Sequence, residues 1–238
     1  TSLLAIAAAS WLLAHLSTPW SFVACFAIAW LLSTGSWGCM AMTRFAPDPA
    51  RTERPSFWRT LPGILREDAN FRAFILVRML LAFGTMGTAF TIVHTLPRFG
   101  LTMAQGNMLA LTLPLAQIAF GYLGGRIADR HGNKVVLVTG SLIGATGLVL
   151  LLGAPSLPLY ALGLFLLGYV MYVVNVLELN FVIELGGERQ ASYASLFNLA
   201  IAPATFIAGI LGATLAERLG VPTVFALSAA CWTLGALA

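Results

Sequence analysis

The sequence predicts an all-α, polytopic membrane helix bundle, and three observations carry that prediction. Charge is scarce: 9% of residues are Asp, Glu, Lys or Arg and 59% are hydrophobic, whereas an ordinary water-soluble domain is about 25% charged. Apolar runs with few charges recur at 2–16, 20–42, 73–96, 104–125, 135–153, 157–183, 192–216 and 221–238. None of them alternates with period two, and only helices or closed barrels satisfy their own backbone in hydrocarbon.

Most of these runs reach the roughly 20 residues that cover about 30 Å of hydrocarbon at 1.5 Å per residue. The two terminal runs are shorter, there is no initiator Met, and the sequence stops inside an apolar run. A piece of a longer protein is therefore expected. The first run has no basic segment before it, which argues against a cleaved signal peptide. Cys25, Cys39 and Cys231 lie in or at the edge of apolar runs with no metal or disulfide spacing, and read as packing residues.

Positive charge predicts the orientation. Residues 44–72 hold six Arg; Arg126, Arg130, Lys134 and Arg189 bring the alternate connections to ten basic residues. The intervening connections carry only Arg98 and Arg218. The Arg-rich connections 44–72, 126–134 and 185–190 are thus expected in the cytosol, and the chain is expected to be a multi-pass protein of the cell (inner) membrane. The net charge of +4 is accounted for by topology and gives no reason to expect a nucleic-acid partner.

The one long hydrophilic stretch divides the chain into 1–43, 44–72 and 73–238. Within it, "APDPARTERPSFWRTLPGILRED" is rich in Pro and charge. Its second half can form a short helix from Ser56 that places Trp58, Leu61 and Leu65 among lipid headgroups, with Arg59 and Arg66 toward phosphates. A plain linker is the alternative.

Between the runs 104–125 and 135–153 stands Gly125-Arg-Ile-Ala-Asp129-Arg130-His-Gly132-Asn-Lys134. Glycines at its two ends allow close helix approach and a turn with positive φ; Asp129 is a fixed negative charge best held near a helix N-terminus. A basic turn obeying the positive-inside rule explains Arg and Lys but not Asp129 between two glycines. The segment resembles the signature loop of the major facilitator superfamily, Gly-x-Leu-Ala-Asp-Arg-x-Gly-Arg/Lys-Arg/Lys, with Ile127 and Asn133 departing from the commonest pattern.

In that family the loop joins helices two and three, with a looser copy between helices eight and nine. Here it follows a long basic loop by two helices and precedes four more. The resemblance therefore implies helices five to twelve of a twelve-helix transporter built from inverted three-helix repeats. Residues 1–43 would be the last two helices of the N-terminal bundle, 44–72 the central loop, and 73–238 the C-terminal six-helix bundle. It also implies that Asp129 latches the cytosolic side of the two halves, against the start of the first segment. Arg130 and Lys134 are expected to hold phosphate headgroups or to pair with an acid such as Glu184.

Charges within the apolar runs point to a binding site, because each costs about 2.5–3.5 kcal/mol on insertion scales unless it has a partner or a water-filled cavity. Arg78 and Glu178 each lie about five residues inside an apolar run, roughly 8 Å deep at 1.5 Å per residue, and are expected to pair. Tyr172, Asn175 and Glu178 fall at i, i+3 and i+6, and Arg78, Thr85 and Thr88 form a corresponding stripe. The family resemblance makes these the cavity-lining helices seven and ten. Together they are expected to take a small polar or anionic solute, with Arg78 on its carboxylate and Glu178 carrying a proton. A static ion pair that fixes helix packing is the alternative.

Other polar residues carry less. His15, His94 and His131 read as ordinary boundary residues, and Gln117 and Asn198 as interhelical hydrogen-bond candidates. Gly140 and Gly144 form a GxxxG, Gly121, Gly124 and Gly125 a small face, and Pro114 and Pro203 are expected to kink their helices. Drug–proton antiporters of the superfamily carry a Gly-Pro-rich motif in helix five, which "SLLAIAAASWLLAHL" lacks. No phosphate-binding Gly loop and no zinc spacing occurs, so no cofactor, metal or catalytic residue is expected.

The reading that follows is a secondary active transporter moving a small solute by alternating access, with the proton as its candidate coupling ion, as a monomer in the bilayer once complete. A transporter-like receptor or scaffold that binds without transporting is the alternative, and a membrane-embedded enzyme lacks a second catalytic group.

Overall fold

A computed structural model describes residues 2–17, 19–43, 63–173 and 178–238. Among these, the regular elements are all helical: α1 (Ser2–His15), α2 (Trp20–Ala41), α3 (Ala69–Gly84), a 3-10 segment (Thr85–Phe90), α4 (Thr91–Phe99), α5 (Met103–Leu109), α6 (Thr112–His131), α7 (Asn133–Gly153), α8 (Leu157–Tyr172), α9 (Glu178–Gly186), a 3-10 turn (Gly187–Arg189), α10 (Gln190–Leu219) and α11 (Val221–Leu237). By length and composition, Trp20–Ala41, Ala69–Phe99, Met103–His131, Asn133–Gly153 and Gln190–Leu219 can each cross a membrane; Leu157–Tyr172 and Val221–Leu237 are shorter apolar helices.

Turn chemistry at the connections matches their sequence. Gly132, between α6 and α7, takes φ +85, and Gly220, between α10 and α11, does the same, a conformation that side chains with a Cβ rarely adopt. Asn133 reaches Glu184, and Arg189 faces Glu67, so the Arg-bearing connections gather at one end of the bundle. At the opposite end Arg98 donates to the carbonyls of Leu151, Leu152 and Ala154, capping the C-terminus of α7.

The core lies among α3, α7, α8 and α11, where Leu148, Leu151, Tyr160, Leu164, Leu167 and Trp232 are essentially inaccessible. The GxxxG of α7 serves this packing: both its glycines are buried, with Gly140 against Val173 and Gly144 against Val170 and Trp232. Trp232 and Ser228, one turn apart on α11, also explain why the chain tightens to 3-10 geometry after Gly84. The indole N–H of Trp232 donates to the Leu81 carbonyl (3.1 Å), and Ser228 Oγ accepts the Gly87 N–H (2.9 Å). Each takes a backbone group that an α-helical ladder would use.

Proline acts differently at its two expected sites. Pro203 lies inside the unbroken α10. Pro114 is the third residue of α6 and sits just beyond a break at 110–111. Having no N–H, it cannot bond the Ala110 carbonyl, which accepts from Leu113 instead (3.1 Å).

The long loop is described only from residue 63. Ser56, Trp58, Arg59 and Leu61 lie outside the described residues. Residues 63–67 form a helical turn in which Ile64 is 2% exposed, packing with Phe71 and Tyr193, and Leu65 leans on the same cluster. Leu65, expected among lipid headgroups, is part-buried against this cluster. Asp68 then caps α3, accepting from the Phe71 N–H (2.8 Å), and receives the Tyr193 hydroxyl (3.0 Å).

The first two helices stand apart. None of the 18-residue apolar window of α2 is buried. α1 meets the remainder at α5, where Asn107 Nδ2 donates to Ser10 Oγ (2.6 Å) and to the Ile6 carbonyl (3.2 Å).

Candidate solute and coupling site

Arg78 on α3 and Glu178 at the start of α9 form an ion pair through Nε and Oε1. The residues are 4% and 5% exposed. The contact is ionic more than a well-aligned hydrogen bond, since Arg78 Nε and Nη1 are both buried without a hydrogen-bond partner. Arg78 is nine residues from the start of α3 at Ala69, and Glu178 eight from the end of α9 at Gly186. At 1.5 Å per residue these are roughly 13 and 12 Å along the two helix axes, so the two charges stand at a similar level in the bundle.

Around the pair is a cavity of about 10 Å³ lined by Leu81, Gly140, Ser141, Val170, Val173 and Trp232, room for about one water molecule. Ser141 donates to the Leu137 carbonyl (3.0 Å), leaving its lone pairs as acceptors within the lining. The walls come from α7, α8 and α11 as well as α3, so in this conformation the pair faces the interior of the helix bundle.

The other residues of the two expected stripes do not join it. Tyr172 is buried elsewhere: a Cβ on Gly124 of α6 would come within 2.5 Å of its ring. Val173 after it keeps αR dihedrals (φ −57, ψ −50), and residues 174–177, through which the i, i+3, i+6 stripe would run to Glu178, lie outside the described residues. Asn175 lies outside the described residues. Thr85 and Thr88 are half-buried on the 3-10 segment, and their hydroxyls donate to the carbonyls of Ala82 and Thr85, 2.7 Å each. They are absent from the lining of the cavity.

The signature segment is largely helix and not loop. Asp129 and Arg130 belong to the last turn of α6, with Gly132 as the single residue before α7 begins at Asn133. Asp129, Arg130 and Lys134 are exposed, and among the described residues none of them has an ion-pair partner. The pairing expected for Glu184 is corrected: its Oε2 accepts from Asn133 Nδ2 at 2.7 Å, not from Arg130 or Lys134. Among the described residues Asp129 makes no hydrogen bond to α1 either, although α1 touches both α5 and α6. The close approach expected at Gly125 belongs to Gly124, since a Cβ on Gly125 would meet only the Tyr172 hydroxyl at 4.0 Å.

Gln117 makes its interhelical contact, to the Met171 carbonyl at 3.5 Å. His94 lies between Tyr160 and Phe225, with Nδ1 3.4 Å from the Tyr160 hydroxyl. Ser141, Ser228, Trp232 and the Ser10–Asn107 contact carry no motif in the sequence, although a polar residue in an apolar run is a usable signal for Asn107 and Ser10.

Residues 74–238 match the family model of the Major Facilitator Superfamily. The match covers more than half of the chain and includes the ion pair and the signature segment. The chain belongs to the Major Facilitator Superfamily, a family of membrane transporters. No curated protein and no solved structure matched it.

Proposed function

We propose that this protein is a secondary active transporter that carries a small solute by alternating access, with movement of the solute linked to protons through Arg78 and Glu178. An ion pair buried between two apolar helices inside the bundle carries this reading. In a family of transporters, opposite charges there are most readily understood as a binding or coupling device. Protonation of Glu178 frees the Arg78 guanidinium to take a solute carboxylate, and release of the solute lets the pair re-form. Asn175 belongs to the proposed site, and Tyr172, Thr85 and Thr88 complete it in a conformation that reorients the helices around it. Gly125, Asp129, Arg130, Gly132, Lys134 and Glu184 form the proposed gating segment.

The same reading places residues 1–43 in an N-terminal bundle, 44–72 in a central loop and 73–238 in a C-terminal bundle. Connections 44–72, 126–134 and 185–190 face the cytosol of a cell (inner) membrane, and the complete protein works as a monomer. Its solute is small, and no chemical change is made to it.

One observation favours a second reading of the pair. A cavity with room for one water, walled by α7, α8 and α11, suits a static pair that fixes the packing of the bundle. The complete protein in detergent decides between them through a thermal-stabilisation screen of small carboxylates and neutral solutes at two pH values. A ligand raises apparent stability by RT ln(1 + [L]/Kd). Coupling requires that Glu178→Gln change the response or its pH dependence; equal stabilisation of both proteins at both pH values assigns the pair to packing.

A further inference from the structure

The contact between α1 and α5 has the character of a detachable joint. Ser10 is 3% exposed, and its hydroxyl donates to the Ile6 carbonyl one turn back (2.8 Å). The Asn107 amide then bridges both acceptors, donating to Ser10 Oγ at 2.6 Å and to the Ile6 carbonyl at 3.2 Å. Among the described residues no other side-chain hydrogen bond or ion pair joins α1 and α2 to the remaining helices.

Its position along the membrane normal is fixed by two turns. Asn107 lies five residues after Thr102, the N-cap of α5, and Ser10 five residues before His15 at the end of α1. Both are therefore roughly 8 Å inside the face opposite the Arg-rich end.

α5 is built to carry such a contact as a unit. A capping box closes its start, with the Gln105 N–H on Thr102 Oγ1 (3.3 Å) and the Thr102 N–H on Gln105 Oε1 (2.9 Å). Its end is released from α6 at the break that Pro114 imposes. Gly106, beside Asn107, lets Leu96 of α4 approach to 2.5 Å from where a Cβ would stand. α5 is thereby held to the C-terminal helices, and Ser10 and Ile6 are the groups it must leave.

We infer that Asn107, with Ser10 and the Ile6 carbonyl, is a latch that holds α1 against the C-terminal helices and closes the face opposite the Arg-rich end. Its role in a transport cycle rests on the alternating-access reading above; its effect on closure does not. Interhelical hydrogen bonds in membranes are weak. The latch therefore biases closure by about threefold to about tenfold, enough to set a population and small enough to open.

The test uses the complete protein in liposomes with Cys25, Cys39 and Cys231 changed to Ser. Ile6→Cys, one turn beyond Ser10, serves as reporter and keeps the backbone carbonyl. A membrane-impermeant maleimide is added on the side of the turn at 100–102. The reporter is expected to label slowly, and Asn107→Leu to speed labelling about threefold to about tenfold. Ser10→Ala should act in the same direction and decides the matter if Asn107→Leu fails to fold. Folded variants that label at the parent rate overturn the latch, as does a parent whose reporter already reacts as fast as a free thiol. Either result leaves the transporter reading intact, because solute binding is measured separately.

Discussion

The indole N–H of Trp232 donates to the carbonyl of Leu81, three residues along α3 from Arg78, at 3.1 Å. Trp232 therefore both lines the cavity of the ion pair and holds open the turn of α3 that carries its cation. Trp232→Phe keeps most of the ring but strands a buried carbonyl, at a cost of about 1–3 kcal/mol. Gly84→Leu, which drives a side chain into the same indole, should cost about as much or more. Thermal unfolding in detergent checks both, and an unchanged midpoint for Gly84→Leu would show that the α3–α11 packing is wrong.

Removing one member of the ion pair should be worse than removing both. Arg78→Met or Glu178→Leu alone leaves a buried charge unmatched and should destabilise by about 3–5 kcal/mol, while the double replacement is expected near neutral. A double-mutant cycle of unfolding free energies measures this. Additive losses would mean that the two side chains do not meet in the folded protein.

Two adjacent glycines of α6, Gly124 and the first residue of the signature segment, Gly125, should respond with opposite sign. A Cβ on Gly124 comes within 2.5 Å of the buried Tyr172 ring, whereas Gly125 has open space to 4.0 Å. Gly124→Ala is expected to cost about 1–3 kcal/mol through overpacking. Gly125→Ala, inside the same helix, is expected to stabilise by up to about 1 kcal/mol. The comparison of the two melting temperatures is the check.

Two adjacent acids differ in the same way. Asp68 caps α3 and also accepts the Tyr193 hydroxyl, so Asp68→Ala should cost about 0.5–2 kcal/mol. Glu67 meets Arg189 at 3.6 Å with both side chains well exposed, and such pairs are worth at most about 1 kcal/mol before salt screens them. At high salt, Glu67→Ala should be indistinguishable from the parent while Asp68→Ala is not.

How far these features were legible depends on whether they are local. The apolar runs, the alternation of basic connections and the positive φ of Gly132 follow from short-range composition and sterics, and all were readable. The pairing of Arg78 with Glu178 was readable because two charges in hydrocarbon at one depth have few other partners. The 3-10 turn after Gly84 was not, since its cause is Trp232 and Ser228 on a helix about 140 residues away. Tyr172 packs against Gly124 of α6, a contact about 50 residues away that its place in an apolar run does not mark. Glu184 was assigned to Arg130 or Lys134 on charge alone, while a neutral neighbour, Asn133, sits where the geometry lets it donate.

The central claim is that Glu178 carries the proton that couples solute movement, and a proton-flux measurement tests it most directly. The complete protein is reconstituted in liposomes holding a pH-sensitive dye, and the solute identified by thermal stabilisation is added outside. The account predicts a solute-driven pH change inside with the parent protein and none with Glu178→Gln, while Glu178→Gln still binds the solute. A pH change of equal size with both proteins would contradict it and leave the Arg78–Glu178 pair a packing element.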